Sequence, residues 1–466
     1  MPNDDSYDVA ILGGGPGGMA AALQVAKRGG TACLIESGSL GGTCLNVGCM
    51  PTKAMLAGSG LRRQVGSFAQ FGLSAQEPEV DSKAFMQRVA NVVATLGEKT
   101  DKGFEVNKQI TVVRGSGRLT GPSTLAVKTA DGEINVSAGS IIIATGSRPA
   151  KPGFLPWDSD CVITSDEATT ADDLPESVLI IGGGVIGCEF ATVYSELGIK
   201  TYVVEMLDQL LPELDKEAST TVSASLADRG AEVLTGQRVA SVTPDGDGAL
   251  VKLDDERTIQ VHRVLVAVGR QTNITDIGLE ELGVAIVDGI ITVDTHCRTN
   301  IENIYAVGDI AEARQYAHLA DRMGIVAADN AMGCELSDDR TVVPVGAYTH
   351  PEIASVGLSL AQVKEQFGSA RVYRYSYKTG GMALVCGQTE GQVKVIADPD
   401  SGTIYGALWI AHHSTDMIVE VALAMRHGLT LQHIAETIHP HPTYQEALGV
   451  IAEAWCAQAI RKQTRS

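Results

Sequence analysis

The sequence of 466 residues predicts an α/β fold in which two similar units precede a smaller α+β unit. Residues 7–36 and residues 178–205 both show a buried strand, a glycine-rich turn, a helix, a second strand and an acid. The first glycine of the turn and the acid lie 23 positions apart in both units. Because this pattern is typical of Rossmann-like dinucleotide-binding domains, the sequence predicts two such domains in one chain.

In the first unit, a strand over residues 7–12 leads into the glycine turn and an alanine-rich helix from Met19 to about Arg28. The glycines allow backbone N–H groups to approach a pyrophosphate at the positive end of that helix. The acid is suited to accept hydrogen bonds from ribose hydroxyls. The residues assigned to this site are Gly13, Gly15, Gly18 and Glu36.

The second unit repeats this order, with strands over residues 178–181 and 201–204 and a helix over residues 188–197. Its acid bears on the choice of nucleotide, because a carboxylate accepts a bond from a free 2′-hydroxyl and repels a 2′-phosphate. No Lys or Arg stands between Glu205 and Asp215, so we expect NAD(H) rather than NADP(H). The residues assigned here are Gly182, Gly184, Gly187 and Glu205.

Two cysteines five positions apart follow the first unit. Cys44 and Cys49 stand between Gly-Gly-Thr and Pro-Thr-Lys. Close to a nucleotide fingerprint, this context favours a redox-active disulfide beside a flavin, the alternative being two buried thiols on a helix. Half-cystine Cα atoms lie within about 7 Å of each other, whereas five steps of a regular helix rise about 7.5 Å. We therefore expect an irregular helix start, which Gly48 permits.

The remaining chain divides into further predicted elements. Residues 54–105 are expected to be largely helical around a polar loop near residues 74–81, and residues 123–137 to form a small antiparallel insert. Beyond residue 344, strand-like patterns recur at residues 371–377, 392–397 and 403–410, and helical patterns recur at residues 415–427 and 443–460. The predicted domains are residues 1–149 (first nucleotide, FAD), 150–272 (second nucleotide, NAD), 273–343 (central, completing the FAD site) and 344–466 (interface).

Composition excludes several classes of partner. The net charge of −20 argues against nucleic acid and anionic membranes. No run of 18 apolar residues predicts a membrane span. The acidic start, residues 1–7, lacks the features of a signal peptide. Seven of the nine cysteines are scattered singly, which favours a reducing compartment and a cytoplasmic location.

Two further patterns could carry chemistry. Asp309 follows a strand and a glycine, where its carboxylate could accept a flavin ribityl hydroxyl or belong to an ordinary turn. His441 precedes a helix that begins near Glu446, where a carboxylate could orient the imidazole for acid–base work on thiols. A capped loop is the alternative for this histidine. The pair His412-His413 has no cysteine or acid cluster beside it in the sequence, so no metal site is expected.

Together these motifs resemble the class I pyridine nucleotide–disulfide oxidoreductases, over essentially the whole chain. The resemblance rests on Gly-Gly-Thr-Cys-Leu-Asn-Val-Gly-Cys, Ala-Thr-Gly ending at Gly146, Ala-Val-Gly-Asp ending at Asp309, Tyr-Thr-His-Pro-Glu ending at Glu352, and His-Pro-Thr starting at His441. Met50 and Thr52 are mild departures from the family pattern. Gly-Met-Ala at residues 381–383 stands where many members have Arg-Ala.

The resemblance implies the cofactors FAD and NAD. Cys49 would touch the flavin, and Cys44 would exchange with substrate. The partner subunit's His441, held by Glu446, would be the acid–base, so a homodimer with a shared active site is expected. FAD would lie against Gly13, Gly15, Gly18, Glu36, Gly42, Thr43, Lys53, Gly115, Thr145, Gly146, Asp309 and Ala317, with Lys53 pairing Glu189, and NAD against Gly182, Gly184, Gly187, Glu205, Val239 and Gly269.

The implied reaction is oxidation of dihydrolipoyl groups to the disulfide with reduction of NAD⁺. The reducing partner would be a lipoyl-bearing carrier protein or free dihydrolipoamide. The main alternative is an NADH-dependent flavin disulfide reductase acting on another disulfide or acceptor. A mercuric reductase would carry paired cysteines near the C-terminus, and a glutathione-type reductase would have basic residues near position 205. A soluble transhydrogenase would lack the cysteine pair. A non-catalytic docking subunit would have lost at least one of the expected catalytic residues, which are Cys44, Cys49, His441 and Glu446, and all four are present.

Overall fold

The computed structural model describes residues 6–463. The described residues leave out residues 1–5, where most of the acidic stretch at the start of the predicted first domain lies, and residues 464–466 at the end of the predicted interface domain. The strands are β1 (Ser6–Leu12), β2 (Ala32–Glu36), β3 (Ile110–Arg114), β4 (Ser116–Gly121), β5 (Thr124–Thr129), β6 (Gly132–Ile143), β7 (Ser147–Pro149), β8 (Val162–Thr164), β9 (Ser177–Ile181), β10 (Lys200–Glu205), β11 (Glu232–Thr235), β12 (Val239–Asp245), β13 (Gly248–Leu253), β14 (Thr258–Val261), β15 (Arg263–Val266), β16 (Arg270–Thr272), β17 (Ile286–Val287), β18 (Ile290–Ile291), β19 (Ile304–Ala306), β20 (Val345–Ala347), β21 (Glu352–Gly357), β22 (Arg371–Ser376), β23 (Gln392–Ala397) and β24 (Ile404–Ala411).

Helices occupy the connections between these strands. Within residues 6–463 no helix is both long and apolar enough to cross a membrane. The α-helices are α1 (Pro16–Lys27), α2 (Gly42–Asn46), α3 (Cys49–Gly66), α4 (Ser82–Glu105), α5 (Ser165–Thr170), α6 (Val185–Glu196), α7 (Lys216–Asp228), α8 (Leu279–Leu282), α9 (Ala317–Ala331), α10 (Leu360–Phe367), α11 (Gly381–Val385), α12 (Ser414–Arg426), α13 (Leu431–Ala435) and α14 (Glu446–Gln463), and short 3-10 turns cover Phe68–Phe71, Gly308–Ile310 and Tyr377–Thr379.

The first sheet has the strand order β3-β2-β1-β6-β5-β4, and β19 also pairs with β6. Strands β3, β2, β1, β6 and β19 run parallel, as expected of a dinucleotide-binding unit, and helices α1 and α9 pack against them. Strand β5 pairs antiparallel with the first half of β6, and β4 pairs antiparallel with β5. The predicted antiparallel insert over residues 123–137 is therefore confirmed.

The second sheet repeats the same parallel order as β11-β10-β9-β15-β8. Here the antiparallel strands form a separate sheet, β12-β13-β14, packed beside it. Both units place the glycine turn at the carboxyl end of the central strand, where open parallel sheets bind their ligands. The predicted duplication is confirmed in topology as well as in spacing.

The central segment, residues 273–343, joins the first unit rather than forming a core of its own. Its buried Ile304 and Met323 lie in the same apolar cluster as Ile11 and Ile142 of the first sheet. Helix α9 packs closely on α1, because a Cβ at Gly324 would stand 2.1 Å from the carbonyl oxygen of Gly17. The approach of these two backbones depends on glycine at this crossing.

The third unit is an antiparallel sheet, β20-β21-β24-β23-β22, covered by α12, α13 and α14. It has its own core around Trp409, whose indole N–H donates to the hydroxyl of Tyr377 at 2.8 Å. The predicted α+β character is confirmed. The sequence patterns located β22, β23, β24 and most of α12 and α14 but did not indicate α10, α11 or α13.

Candidate active site

A cavity of about 1620 Å³ runs between the two parallel sheets and reaches the third unit. Ligand sites in proteins commonly have volumes of about 300–1,000 Å³, so this space exceeds the needs of one small ligand. Both glycine turns and both cysteines line it. The fold therefore brings the two predicted nucleotide sites and the predicted redox centre to one continuous cavity.

The first glycine turn is shaped by contacts that only glycine permits. Gly13 has φ +110°, and a Cβ there would lie 2.3 Å from the carbonyl oxygen of Ala144. Gly15 lines the cavity and has open space where a Cβ would be. Gly18 does not line the cavity; a Cβ there would lie 1.8 Å from the carbonyl oxygen of Gly13. Its role is to let α1 approach the turn.

The second turn has the same geometry. Gly182 has φ +109°, and its Cβ would lie 2.3 Å from the carbonyl oxygen of Ala267. Gly184 faces open space in the cavity. Gly187, like its counterpart, lies behind the turn, where a Cβ would stand 2.0 Å from the oxygen of Gly182. Both turns thus present bare backbone to the cavity, as binding of a pyrophosphate requires.

The acid of each unit is fixed by two backbone amides. The carboxylate of Glu36 accepts from the N–H groups of Gly14 and Gly38, both at 2.6 Å. Glu205 accepts from Gly183 at 2.7 Å and Leu207 at 2.8 Å. Each carboxylate oxygen retains acceptor capacity for a ribose hydroxyl, since an ionised carboxylate offers about four lone-pair sites.

The cysteine pair lies where α2 ends and α3 begins. The helical conformation is interrupted at Val47 and Gly48, between the two cysteines. The predicted irregular helix start is therefore confirmed. Both thiols are free, and they are hydrogen bonded to each other. The bond from the Cys44 thiol, with the charge of Lys53, lowers the pKa of Cys49 to about 7 against the opposing effect of burial. The same bond and burial raise the pKa of Cys44.

This asymmetry assigns different chemistry to the two sulfurs. As the pH rises above about 7, the pair becomes a Cys49 thiolate that accepts a hydrogen bond from a Cys44 thiol. A thiolate is the electron-rich form of cysteine. The sulfur suited to give electrons to a neighbouring group is therefore Cys49.

Lys53 and Glu189 form an ion pair at the wall of the cavity next to the cysteines. Their Nζ and Oε2 atoms are 2.7 Å apart, with Glu189 almost fully buried. The other oxygen of Glu189 accepts from the backbone N–H of Tyr348 at 3.0 Å. The Lys53 ammonium also stands 4.5 Å from the centre of the Tyr348 ring. The first unit, the second unit and the third unit meet at this pair.

A hydrogen-bond chain that the sequence did not indicate links Asp309 to the second unit. The Ser147 hydroxyl donates to Asp309 Oδ2 at 2.5 Å and accepts from Arg270 Nε at 2.7 Å. Arg270 also donates to the Ser147 carbonyl at 2.8 Å and lies 3.3 Å from the Thr43 hydroxyl. The only sequence signal for this arginine was its place directly after Gly269.

The other predicted cofactor residues also line the cavity. Ala317 does so as the first residue of α9. Arg238 of the second unit lines it too, and it lies outside the stretch between Glu205 and Asp215 that bore on the choice of nucleotide. The remaining predicted residues on its wall are Gly42, Thr43, Gly115, Thr145, Gly146, Val239 and Gly269.

His441 and Glu446 do not line this cavity. The His441 Nδ1 and Glu446 Oε1 atoms are 2.7 Å apart, and the second carboxylate oxygen accepts from the backbone N–H of Thr443 at 2.7 Å. The bond to His441 and the amide of Thr443 lower the pKa of Glu446. The imidazole is 82% exposed. An oriented, unshielded imidazole on the third unit is therefore available to a site outside its own chain.

Comparison with known proteins places these features in one family. Residues 7–331 match the pyridine nucleotide-disulphide oxidoreductase family, and residues 343–451 match its dimerisation domain. A dihydrolipoyl dehydrogenase of Bacillus subtilis is 37% identical, over 97% of this chain and 99% of its own. One of Haloferax volcanii is 34% identical over 98% of both chains.

Two solved structures have the same fold. LpdA of Mycobacterium tuberculosis has a TM-score of 0.89 and 28% identity, over 96% of this chain and 99% of its own. The HOCl-induced flavoprotein disulfide reductase RclA of Escherichia coli has a TM-score of 0.86 and 26% identity, over 96% and 99%. The two nucleotide turns, the cysteine pair and these matches lead to one conclusion. This chain belongs to the pyridine nucleotide-disulphide oxidoreductase family.

Proposed function

We propose that this chain is an FAD-dependent dihydrolipoyl dehydrogenase that oxidises dihydrolipoyl groups to the disulfide and reduces NAD⁺. One observation carries the proposal. A cysteine pair with one acidic thiol lies in a cavity shared by two dinucleotide turns. The full-length similarity to proteins named dihydrolipoyl dehydrogenase supports the substrate class.

FAD is assigned to the first unit. The bare backbone at Gly15 would receive the pyrophosphate, and Glu36 the adenosine ribose. Asp309, oriented by Ser147, would accept the ribityl hydroxyls. Lys53, with its ammonium fixed between Glu189 and Tyr348, would present a proton donor at the reacting end. The donor set and the glycine cradle fit the group.

NAD is assigned to the second unit. Gly184 offers the same bare backbone, and Glu205 the same fixed carboxylate. An ionised Glu205 favours a free 2′-hydroxyl over a phosphate. Arg238, on the same wall, is the one feature that argues for tolerance of a 2′-phosphate. We assign NAD as the preferred nucleotide because the carboxylate is held directly at the turn.

The sulfur chemistry follows from the cysteine pair and the histidine. In the oxidised enzyme the imidazole of His441 takes a proton from one thiol of the dihydrolipoyl group, and the resulting thiolate attacks Cys44 Sγ. The Cys44–Cys49 bond breaks, a mixed disulfide forms, and Cys49 leaves as a thiolate. The second substrate sulfur displaces Cys44 from the mixed disulfide as its own proton passes to Cys44. Lipoyl disulfide is released, and the enzyme is left with a Cys44 thiol, a Cys49 thiolate and the first proton on His441.

Each residue has a physical reason for its part. Cys49 leaves readily because the pKa of its thiol is about 7. Cys44 accepts the proton of the second substrate thiol, because the pKa of the Cys44 thiol is raised. A bound FAD would supply the acceptor for the electron pair of the dithiol and the hydride donor for NAD⁺.

The histidine is supplied by a second copy of the chain. His441 lies outside the cavity of its own chain, and residues 343–451 match a dimerisation domain. A homodimer whose two active sites are shared explains why the His441–Glu446 pair is built and oriented yet exposed. The lipoyl-bearing carrier is part of the proposal. With a net charge of −20, the enzyme would dock it through a local patch rather than through its overall field.

A cytoplasmic location also belongs to the proposal. The seven cysteines other than Cys44 and Cys49 are spread singly along the chain. This usage suits a reducing compartment.

The experiment is NAD⁺ reduction with free dihydrolipoamide, compared with NADH-driven reduction of other disulfides by the same preparation. We expect dihydrolipoamide to be the preferred dithiol by at least about tenfold in kcat/KM. The second candidate function, an NADH-driven disulfide reductase, is favoured by the structural similarity to RclA. Turnover of another disulfide with NADH, at a rate far above that with the lipoyl couple, would replace the proposal by this alternative.

A further inference from the structure

A cluster of metal-binding side chains lies outside the catalytic residues. One ligand atom each from Glu352, His412 and His413 lies within 4.8 Å of the other two. We name these three residues the histidine–glutamate cluster. The sequence showed no acid beside the two histidines, and the absence of a metal site was predicted on that ground. The fold brings Glu352 there from a distant part of the chain.

Strand register places the three residues together. Glu352 begins β21 and pairs directly with Ala411, the last residue of β24. His412 follows at once, and His413 precedes the first residue of α12. His413 has φ +60°, a conformation that histidine adopts more readily than most residues with a side chain. The tight bend keeps both imidazoles at the end of the sheet, with ring centres 3.8 Å apart.

The glutamate is oriented by the helix that follows. Its Oε2 atom accepts from the Thr415 hydroxyl at 2.7 Å and from the Thr415 backbone N–H at 3.2 Å. This leaves the second carboxylate oxygen for a ligand. Thr415 itself lines the large cavity, so the cluster stands beside the cavity wall.

A carboxylate that is not part of the cluster lies next to the second histidine. The Nδ1 atom of His413 is 3.6 Å from Asp416 Oδ2, with both side chains exposed. Histidines that bind metals commonly donate the other ring nitrogen to such a carboxylate, which fixes the tautomer. Asp416 is placed to do this once a metal holds the ring.

Charges around the first histidine also bear on cation binding. Glu352 brings a favourable charge to His412, and Arg63 brings an unfavourable one. The Nε atom of Arg63 is 3.0 Å from the buried carboxylate of Glu196, which offsets its charge.

We propose that the histidine–glutamate cluster binds one divalent transition-metal ion of the zinc class per chain. Two imidazole nitrogens and one carboxylate oxygen are the donor set that zinc takes at sites with an open position. Imidazole ligands favour zinc, copper and nickel over magnesium and calcium. The open position would take water or an exogenous ligand. The site is independent of the proposed function, because none of its residues is in the catalytic machinery.

The test is calorimetric titration of Zn²⁺ into untagged, oxidised holoenzyme. Oxidation removes the competing dithiol, since Cys44 and Cys49 are then bonded to each other. We expect one saturable site per chain. Glu352→Gln keeps an acceptor for Thr415 but removes the charged ligand, and His412→Asn removes an imidazole. Each should weaken Zn²⁺ binding by about 100-fold or more.

His427→Asn is the matched control, because His427 is an exposed histidine directly after the other end of α12. It should bind Zn²⁺ as the unaltered enzyme does. The flavin spectrum and melting temperature of each variant establish that it has folded. Should His412→Asn fail to fold, Glu352→Gln decides alone.

X-ray absorption of the zinc-loaded enzyme supplies the second readout. Nitrogen and oxygen neighbours without sulfur are expected. The proposal is overturned if the unaltered enzyme shows no saturable site, if Glu352→Gln binds Zn²⁺ equally well, or if the metal has sulfur neighbours. An equal loss in His427→Asn would also overturn it, since binding would then be to surface histidines in general.

Discussion

The first and second nucleotide units have the same glycine turn and the same fixed acid, which together we call the nucleotide frame. Gly13 and Gly182 have φ values of +110° and +109°, and a Cβ on either would stand 2.3 Å from a carbonyl oxygen. Glu36 and Glu205 are each held by two backbone amides. The part of the fold that receives a pyrophosphate and a ribose has been duplicated with its geometry intact.

The two units differ in what surrounds this frame. After its acid the first unit continues into α2 and α3, which carry the cysteines, and it is covered by β19 and α9 from the central segment. After its acid the second unit exposes Met206 and Leu207, 58% and 45% exposed. A shared frame therefore supports one site that has the cysteine pair beside it and one site that has no such pair of its own. The added segments, rather than the frame, decide the chemistry.

The largest expected effect comes from removing the feature that only the first unit has. Cys44→Ser should lower dihydrolipoamide-dependent NAD⁺ reduction by about 10⁴-fold or more, because no sulfur remains to accept the substrate thiolate. The flavin should stay bound, since Cys44 is not needed for the turn. Steady-state assays and the visible spectrum measure both. Cys334→Ser, a partly buried cysteine elsewhere, is the control. Retained activity in Cys44→Ser would disprove the exchange assignment.

His441→Ala should come next, with a loss of thiol-dependent turnover of about 10²–10⁴-fold, the usual contribution of a positioned acid–base. NADH-driven reduction of a one-electron dye should be unaffected, because it does not pass through the sulfurs. Mixing His441→Ala with Cys44→Ser chains should restore activity in mixed dimers, which carry one intact shared site. No recovery on mixing would contradict sharing between subunits.

A matched pair of glycine variants tests the two frames directly. Gly13→Ala and Gly182→Ala introduce the same clash at the same φ. We expect the first to purify without flavin and the second to keep its flavin but to bind NAD about 100-fold more weakly. Flavin content and the KM for NAD⁺ are the readouts. Gly97→Ala, where nothing lies within 4 Å, serves as the control. Flavin loss from Gly182→Ala alone would reverse the assignment of the units.

Glu205→Gln should have a smaller effect, raising the KM for NAD⁺ by about tenfold. Relief of repulsion, together with Arg238 on the same wall, should improve the use of NADP⁺. The ratio of kcat/KM for the two nucleotides measures the change. An unaltered ratio would show that Glu205 does not distinguish a ribose 2′-hydroxyl from a 2′-phosphate.

The smallest expected effect concerns the acidity of Cys49. In the reduced enzyme its thiolate should form as the pH rises through about 7. Lys53→Met should move this midpoint upward, because the charge of Lys53 lowers the pKa of Cys49 and that of Glu189 raises it. The pH dependence of alkylation by iodoacetamide, with the site assigned by mass spectrometry, reports the midpoint. Lys108→Met, far from the cysteines in the sequence, is the control. A midpoint in Lys53→Met equal to that of the unaltered enzyme would contradict the electrostatic effect of Lys53 on Cys49.

Residues close in sequence were predicted well because local contacts fix them. The positive φ at Gly13 and Gly182 and the break at Gly48 follow from steric limits on neighbouring residues. The periods of the strands and helices follow from which faces must be buried. These constraints identified both turns, both acids, the cysteine pair and the α+β character of the third unit.

Residues brought together from distant positions were predicted only by resemblance, or not at all. Lys53 meets Glu189, Arg270 meets Ser147, and Glu352 meets the two histidines after β24.

By itself, the sequence determined the repeated nucleotide frame, because each turn and its acid are set by backbone sterics and hydrogen bonds within one short unit. It also determined the separation of the two sulfurs along the chain. Only the tertiary structure decided that both frames open into one cavity, that one sulfur is the more acidic, and that His441 faces away from its own site. These outcomes depend on the packing of three sheets and on charges that approach through space, and neither is encoded in the spacing of residues along the chain.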